Sequence, residues 1–250
     1  MNYLPVFVFL LGACVGSFLN VCIYRIPLGK SVVSPPSHCM SCENRLGFPE
    51  LIPILGYLLL RGRCKYCGAT FSCQYPLVEL FTALAYTAVW FRFGYTWLTL
   101  AMWVFMSILI AASVIDYYHQ IIHNRLVLIG LVVGVPLIAL QSWDDLKSGL
   151  MAFLAAGLFL LAIAVVSRGG MGGGDIKLGA MMGLYLGLTN LAIAFFLAFL
   201  IGGVTGLVLM LAKRKGRKDA VPFGPFLSLG ALLAVFWGEN IASWYCGFWF

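Results

Sequence analysis

Apolar residues run in stretches of membrane-crossing length along nearly the whole chain, broken by short polar joints and by one long polar interval between Ile26 and Tyr75. A helix needs about 20 mostly apolar residues to span the hydrocarbon core, where every backbone polar group must be satisfied internally. The pattern predicts helices over Leu4–Tyr24, Pro76–Phe93, Trp97–Ile115, Leu126–Leu140, Lys147–Ser167, Asp175–Leu188, Leu191–Ala212 and Pro222–Gly238. The joints Phe93-Gly94-Tyr95, Trp143-Asp144-Asp145 and Thr189-Asn190 carry the glycine or polar residues that turns require. The expected fold is all-α: a polytopic integral membrane bundle of about eight transmembrane helices with a small zinc-knuckle loop domain. Its divisions are a first transmembrane helix over 1–25, a cysteine loop over 26–75 and a helical bundle over 76–250.

Composition agrees with lipid as the solvent. Hydrophobic residues make up 62% of the chain and charged residues 10%, against roughly 25% charged in a soluble domain. Leu11-Gly12-Ala13-Cys14 loosely resembles a lipoprotein cleavage site, but no Lys or Arg precedes the apolar stretch, so the first span is expected to be retained. The net charge of +7 has a topological reading. With the N-terminus outside, the loops carrying Arg25 to Lys65, Arg125, Arg168, Lys177 and the run Lys213 to Lys218 all lie inside, and only Arg92 and Lys147 lie outside. That asymmetry places the cysteine loop in the cytoplasm. Anionic membrane lipids are the natural partner of the basic run. No basic stripe interleaved with aromatics stands outside the spans, so no nucleic acid is expected.

Acidic residues are scarce, and Asp116 and Asp175 stand apart because each adjoins an apolar span. The predicted third helix runs inward and ends at Asp116, while the sixth starts inside at Asp175, so the two can meet. Paired carboxylates share a proton, so one activates water while the other polarises a carbonyl, the division of labour that peptide hydrolysis needs. They are the candidate catalytic residues, the alternative being a purely structural pair. Asp175 at a helix start and Asp116 near a helix end suggest Asp175 as the resting base. The run Gly172-Gly173-Gly174 before Asp175 leaves backbone open for an extended peptide.

Cys39-Met40-Ser41-Cys42 and Cys64-Lys65-Tyr66-Cys67 form two C-x-x-C knuckles. Four thiolates give Zn²⁺ a closed, structural tetrahedral site. His38 and Cys73 are alternative ligands, and unmetallated thiols the alternative state. His119 and His123 are read as interfacial polar residues flanking the exit of Asp116.

Gly16-Ser17-Phe18-Leu19-Asn20-Val21, the paired knuckles, Tyr75-Pro76-Leu77-Val78-Glu79, Gly172-Gly173-Gly174-Asp175-Ile176-Lys177 and Pro222-Phe223-Gly224-Pro225-Phe226 together resemble the bacterial type IV prepilin peptidases. The resemblance implies a bacterial inner-membrane aspartyl endopeptidase that removes the leader of prepilins or pseudopilins at the cytoplasmic face. It also implies methylation of the new N-terminal amine with S-adenosylmethionine as donor. Its catalytic aspartates correspond to Asp116 and Asp175, and its metal ligands to Cys39, Cys42, Cys64 and Cys67. Gly172, Gly173, Gly174, Lys177, Glu50 and Glu79 are the candidate substrate-binding residues, the two glutamates also for methyl transfer. Many relatives read Glu-Asn-Ile-Pro where this chain has Glu50-Leu51-Ile52-Pro53, and many have Pro at the place of His123. The competing readings are a zinc-containing membrane methyltransferase without protease activity, and a transporter, which would carry polar residues through the bilayer rather than at one edge.

Overall fold

The computed structural model describes residues 3–168, 170–212 and 221–249. The basic run Lys213 to Lys218 and Gly169 lie outside the described residues. The described residues are helical, with two isolated antiparallel bridges and no strand. They fall into two units, Met1–Tyr95 and Thr96–Phe250.

In the first unit α1 (Leu4–Arg25) packs on α4 (Gln74–Phe93). The contact is made by glycines one turn apart. A Cβ on Gly12 would sit 2.7 Å from the Ala83 Cα, and one on Gly16 would sit 2.6 Å from the Glu79 Cα. Small residues at this spacing let backbones approach where burial from water supplies no driving force. The register puts Asn20, one turn beyond Gly16, against Tyr75, one turn before Glu79, and the Asn20 Nδ2 donates to the Tyr75 carbonyl at 3.0 Å. The segment between these helices holds the short helices α2 (Phe48–Leu51) and α3 (Leu55–Leu59) and both knuckles.

The second unit comprises α5 (Trp97–His119), α6 (Asn124–Gln141), α7 (Trp143–Val166), α8 (Gly173–Leu211) and α9 (Gly224–Trp249). Thr96 and Ser142 cap α5 and α7 by accepting backbone N–H bonds in the first turn. The 39 residues of α8 are not one rod: Gly187 has φ +66° and ψ 177°, a conformation that glycine adopts freely. The Phe195 ring lies 3.2 Å from a Cβ built on Gly179, whereas straight helix would hold these positions about 24 Å apart. The two legs of α8 therefore run back to back. The break falls at Gly187 rather than at the expected Thr189-Asn190, because the reversal needs positive φ. The last helix continues past the expected end at Gly238, since that glycine is packed against Asn190 instead of ending the helix.

Among the described residues six helices are long and apolar enough to cross a membrane: α1, α5, α6, α7, α8 and α9. The expected eight differ because α8 was divided and because α4, with Glu79, Arg92, two threonines and two tyrosines, was included.

The packing of α7 on the first leg of α8 depends on reciprocal glycines. Gly149 faces the Leu184 carbonyl, and a Cβ on Gly183 would meet the Ala152 carbonyl oxygen at 2.5 Å. Gly183→Leu is expected to destabilise the unit by about 3 kcal/mol or prevent its folding, since backbone cannot yield as a side chain can. Gly203→Ala, where nothing lies within 4 Å, is expected to change stability by less than about 1 kcal/mol. Thermal unfolding in detergent distinguishes the two.

Candidate functional site

Asp116 lies one turn before the end of α5 and is 5% exposed. Its Oδ2 accepts a 2.8 Å hydrogen bond from the Gly224 backbone N–H. Gly224 opens α9, with Pro225 next, where a missing N–H has no helical partner to lose. A side chain at 224 would itself collide with Asp116, its Cβ falling 2.8 Å from that oxygen. Position 224 thus donates from its backbone, and a side chain there would displace the Asp116 carboxyl.

Asp175 lies in the first turn of α8, half-buried, with its N–H donating to the Gly172 carbonyl at 3.1 Å. Gly174 brings this turn against the connection that leaves α5, for a Cβ there would be 2.9 Å from that of Ile122. The two aspartates consequently occupy the same end of the unit. The helix-end contrast expected between them is weakened, because Asp116 receives a donor from the start of α9 just as Asp175 sits at the start of α8.

The three glycines before Asp175 differ in role. Gly174 is needed for packing against Ile122, a Cβ on Gly172 would lie 3.2 Å from the Asp175 Oδ2, and Gly173 faces open space. The Lys177 Nζ donates to the Asn124 Oδ1 at 2.8 Å. Both residues border an apolar cleft of about 500 Å³ that also includes Leu128, Phe153 and Ile176. His119 ends α5, and His123 precedes α6 with its Nδ1 buried and unpartnered. Burial, then the charges of His119 and Arg125, holds the His123 imidazole below its ordinary range.

In the first unit the four predicted cysteines converge, their sulfurs all within 4.8 Å of one another. Each knuckle is the same tight turn: the Cys39 N–H donates to Asn44 O and the Cys64 N–H to Ala69 O, at 2.9 and 2.8 Å. The turn needs positive φ after the second cysteine, supplied by Gly68 at +71° and by Glu43 at +57°. The Sγ separations are 3.8 Å for Cys39 to Cys67 and 3.9 Å for Cys42 to Cys64. A tetrahedron with metal–sulfur bonds of about 2.3 Å has edges of about 3.8 Å, so the set fits Zn²⁺. Backbone N–H groups of Ser41 and Cys42 hold the Cys39 thiol down at about 6. The Ala69 N–H acts the same way on Cys67, but burial and the other three sulfurs outweigh it and push that thiol up to about 12. Neither His38 nor Cys73 belongs to the cluster: His38 pairs with the Pro36 carbonyl and Cys73 with the Tyr57 hydroxyl.

Glu50 and Glu79, 29 positions apart in sequence, line one cavity of about 650 Å³ with Ser17, Asn20, Tyr57 and Tyr75. The size is that of a small-molecule pocket. The sequence suggested both glutamates but not Asn20, whose only signal was its place in the Gly16-to-Val21 segment.

Two family models match consecutive parts of the chain: the Bacterial Peptidase A24 N-terminal domain over residues 10–93 and the Type IV leader peptidase family over residues 103–207. A prepilin leader peptidase/N-methyltransferase of Bacillus subtilis (strain 168) is 39% identical over 237 residues, covering 95% of this chain and 96% of the relative. One from Legionella pneumophila is 35% identical over 286 residues, covering 100% and 98%. A third, from Aeromonas hydrophila, is 33% identical over 267 residues, covering 95% and 92%. No solved structure matches the chain.

The unequal crowding around the glycines is testable. Gly174→Val is expected to drive the α8 start away from Ile122 and to cost about 1–3 kcal/mol, while Gly173→Ala is expected to be neutral or stabilising by under about 1 kcal/mol. Denaturation of the two purified variants checks this.

Proposed function

The chain belongs to the type IV leader peptidase family, and from that premise we propose that Asp116 and Asp175 hydrolyse the leader bond of a prepilin or pseudopilin at the cytoplasmic face. It is an enzyme with leader-peptidase and N-methyltransferase activities, carried on a multi-pass inner-membrane chain. What supports the protease reading is the placement of both carboxylates at one end of the second unit, with Asp116 held by Gly224.

One proton shared by the pair gives the two roles. The ionised carboxylate takes a proton from water, whose oxygen attacks the carbonyl carbon, while the protonated carboxyl donates to the carbonyl oxygen. Collapse of the tetrahedral diol passes a proton to the leaving amine, which becomes the new N-terminus. The scissile segment has to be extended, since helical carbonyls are already hydrogen-bonded, and Gly172 and Gly173 give it backbone free of side chains. The apolar cleft beside Lys177 suits the apolar part of the substrate.

The methyl-transfer site is the cavity of the first unit, where Glu50 and Glu79 lie among apolar walls and S-adenosylmethionine is the donor. The cysteine cluster holds Zn²⁺ as a structural ion, closed by four sulfurs and without an open position.

Asp116→Asn and Asp175→Asn are each expected to lower leader cleavage at least about 1,000-fold while leaving methylation of a precleaved peptide within about threefold, read by mass spectrometry. Parental cleavage by either variant would instead assign the two aspartates a structural role. Elemental analysis is expected to find one zinc per chain. Cys42→Ser or prolonged chelation is expected to remove it and open residues 37–72 to proteolysis, because ligand binding and folding of such loops are one equilibrium. Acidification acts in the same direction, since the thiolates bind protons as pH falls.

A further inference from the structure

Among the described residues three buried side-chain atoms have no hydrogen-bond partner, and two of them, the Asn20 Oδ1 and the Glu50 Oε1, border the same cavity. Both are acceptors. Asn20 is 4% exposed and cannot turn to satisfy itself, because its Nδ2 is committed to the Tyr75 carbonyl. Glu50 is likewise fixed, its Oε2 accepting from the Gly47 N–H at 2.7 Å. The third acceptor is the Glu79 carboxylate, 8% exposed, which faces Ser17 across the α1–α4 contact. Asn20 lies three positions after Ser17 on the same face of α1, so it points toward Glu79 as well.

The backbone that completes this wall is strained. Ile54 has φ +63° and ψ −55°, and the Leu55 N–H closes onto the Pro53 carbonyl at 2.6 Å, a γ-turn rarely adopted by a β-branched residue. Its consequence is that the Ile54 N–H donates to the Glu79 Oε2 at 2.7 Å. Strain of this kind persists where surroundings over-determine it, and it gathers at functional sites. One carboxylate oxygen is thereby anchored, and the group retains acceptor capacity for a ligand. The cationic side chains bordering the cavity are otherwise engaged: Arg25 donates to the Ser31 and Pro35 carbonyls, and Lys30 lies over the Tyr24 ring.

A wall made of acceptors calls for a ligand rich in N–H donors. Resting on the reading of this cavity as the methyl-transfer site, we propose that Asn20, Glu50 and Glu79 form the subsite for the acceptor amine, with Glu79 as the base that deprotonates it. The terminal ammonium of the cleaved substrate donates to the three side chains, and one proton passes to the Glu79 carboxylate. The freed nitrogen lone pair attacks the methyl carbon of the sulfonium donor. A nitrogen–carbon bond forms, the carbon–sulfur bond breaks, and its electron pair stays on sulfur as a neutral thioether. The product leaves as a methylammonium, and Glu79 returns its proton to solvent.

The test uses the full-length protein in nanodiscs with S-adenosylmethionine and two precleaved peptides, one with its N-terminal amine and one with hydrogen in its place. The parent is expected to bind the amine peptide at least about 10-fold more tightly than the deamino peptide. Glu79→Gln is expected to erase that preference and to lower methyl transfer at least about 100-fold, with donor affinity within about threefold and the parent's thermal unfolding as the sign of a folded chain. Glu79→Asp is expected to recover part of the rate. If Glu79→Gln unfolds below the parent, Glu50→Gln is measured in the same way, with loss of the amine preference expected. A fall in donor affinity with the amine preference intact would overturn the proposal, assigning the acceptors to the donor's own ammonium. Photolabelling of the parent by S-adenosylmethionine outside residues 17–79 would overturn the reading of the cavity itself.

Discussion

A carboxylate at the end of a membrane-length helix needs hydrogen-bond donors that the surrounding lipid cannot provide, and in this chain the Gly224 backbone supplies one to Asp116. That bond sets much of what surrounds it. It joins the start of the last helix to the end of α5 and leaves no room for a side chain at 224 unless the Asp116 carboxyl shifts. The fold-back of α8 at Gly187 returns its second leg alongside the first, so that α9 can pack against it and reach Asp116. Gly174 then closes the first turn of α8 onto Ile122. Among the described residues, helix packing is thus what positions the two carboxylates.

Both units use the same device for close approach. Gly12 and Gly16 let α1 meet α4, and Gly149 and Gly183 let α7 meet α8, in each case against backbone atoms. Close backbones also bring polar side chains face to face, as with Ser17 and Asn20 against Glu79 and Tyr75. A single lateral shift in the α1–α4 register would separate Asn20 from Tyr75 and dissolve one wall of the cavity. The zinc knuckles are built differently, from two equivalent turns whose φ-positive residues are Glu43 and Gly68, and a bound ion would complete what those short turns cannot hold alone.

Much of this was legible in the sequence. Hydrophobic run length gave most helix boundaries within a few residues, the cysteine spacing gave the tetrad, and the isolation of Asp116 and Asp175 in apolar surroundings marked the candidate pair. The errors have physical causes. Thr189-Asn190 looked like the turn because it is polar, but the reversal required a positive φ and used Gly187. Gly238 looked like a terminator, but it is a contact surface for Asn190. Gly224 was visible only as part of a motif, because a backbone donor has no side-chain signature. Asn20 was likewise visible only within a motif, and the Ile54 γ-turn not at all, for a related reason: their meaning lies in which partner an atom lacks or meets, and that depends on the register of two helices.

Asp116 and Asp175, on this mechanism, act together on one peptide bond. An experimental structure with a prepilin segment whose scissile bond is replaced by a hydroxyl-bearing isostere tests it most directly. That hydroxyl is expected between the two carboxylates, within hydrogen-bonding distance of both, with the segment extended past Gly172 and Gly173. An isostere bound productively elsewhere, or touching one aspartate while packed helices wall off the other, would contradict it.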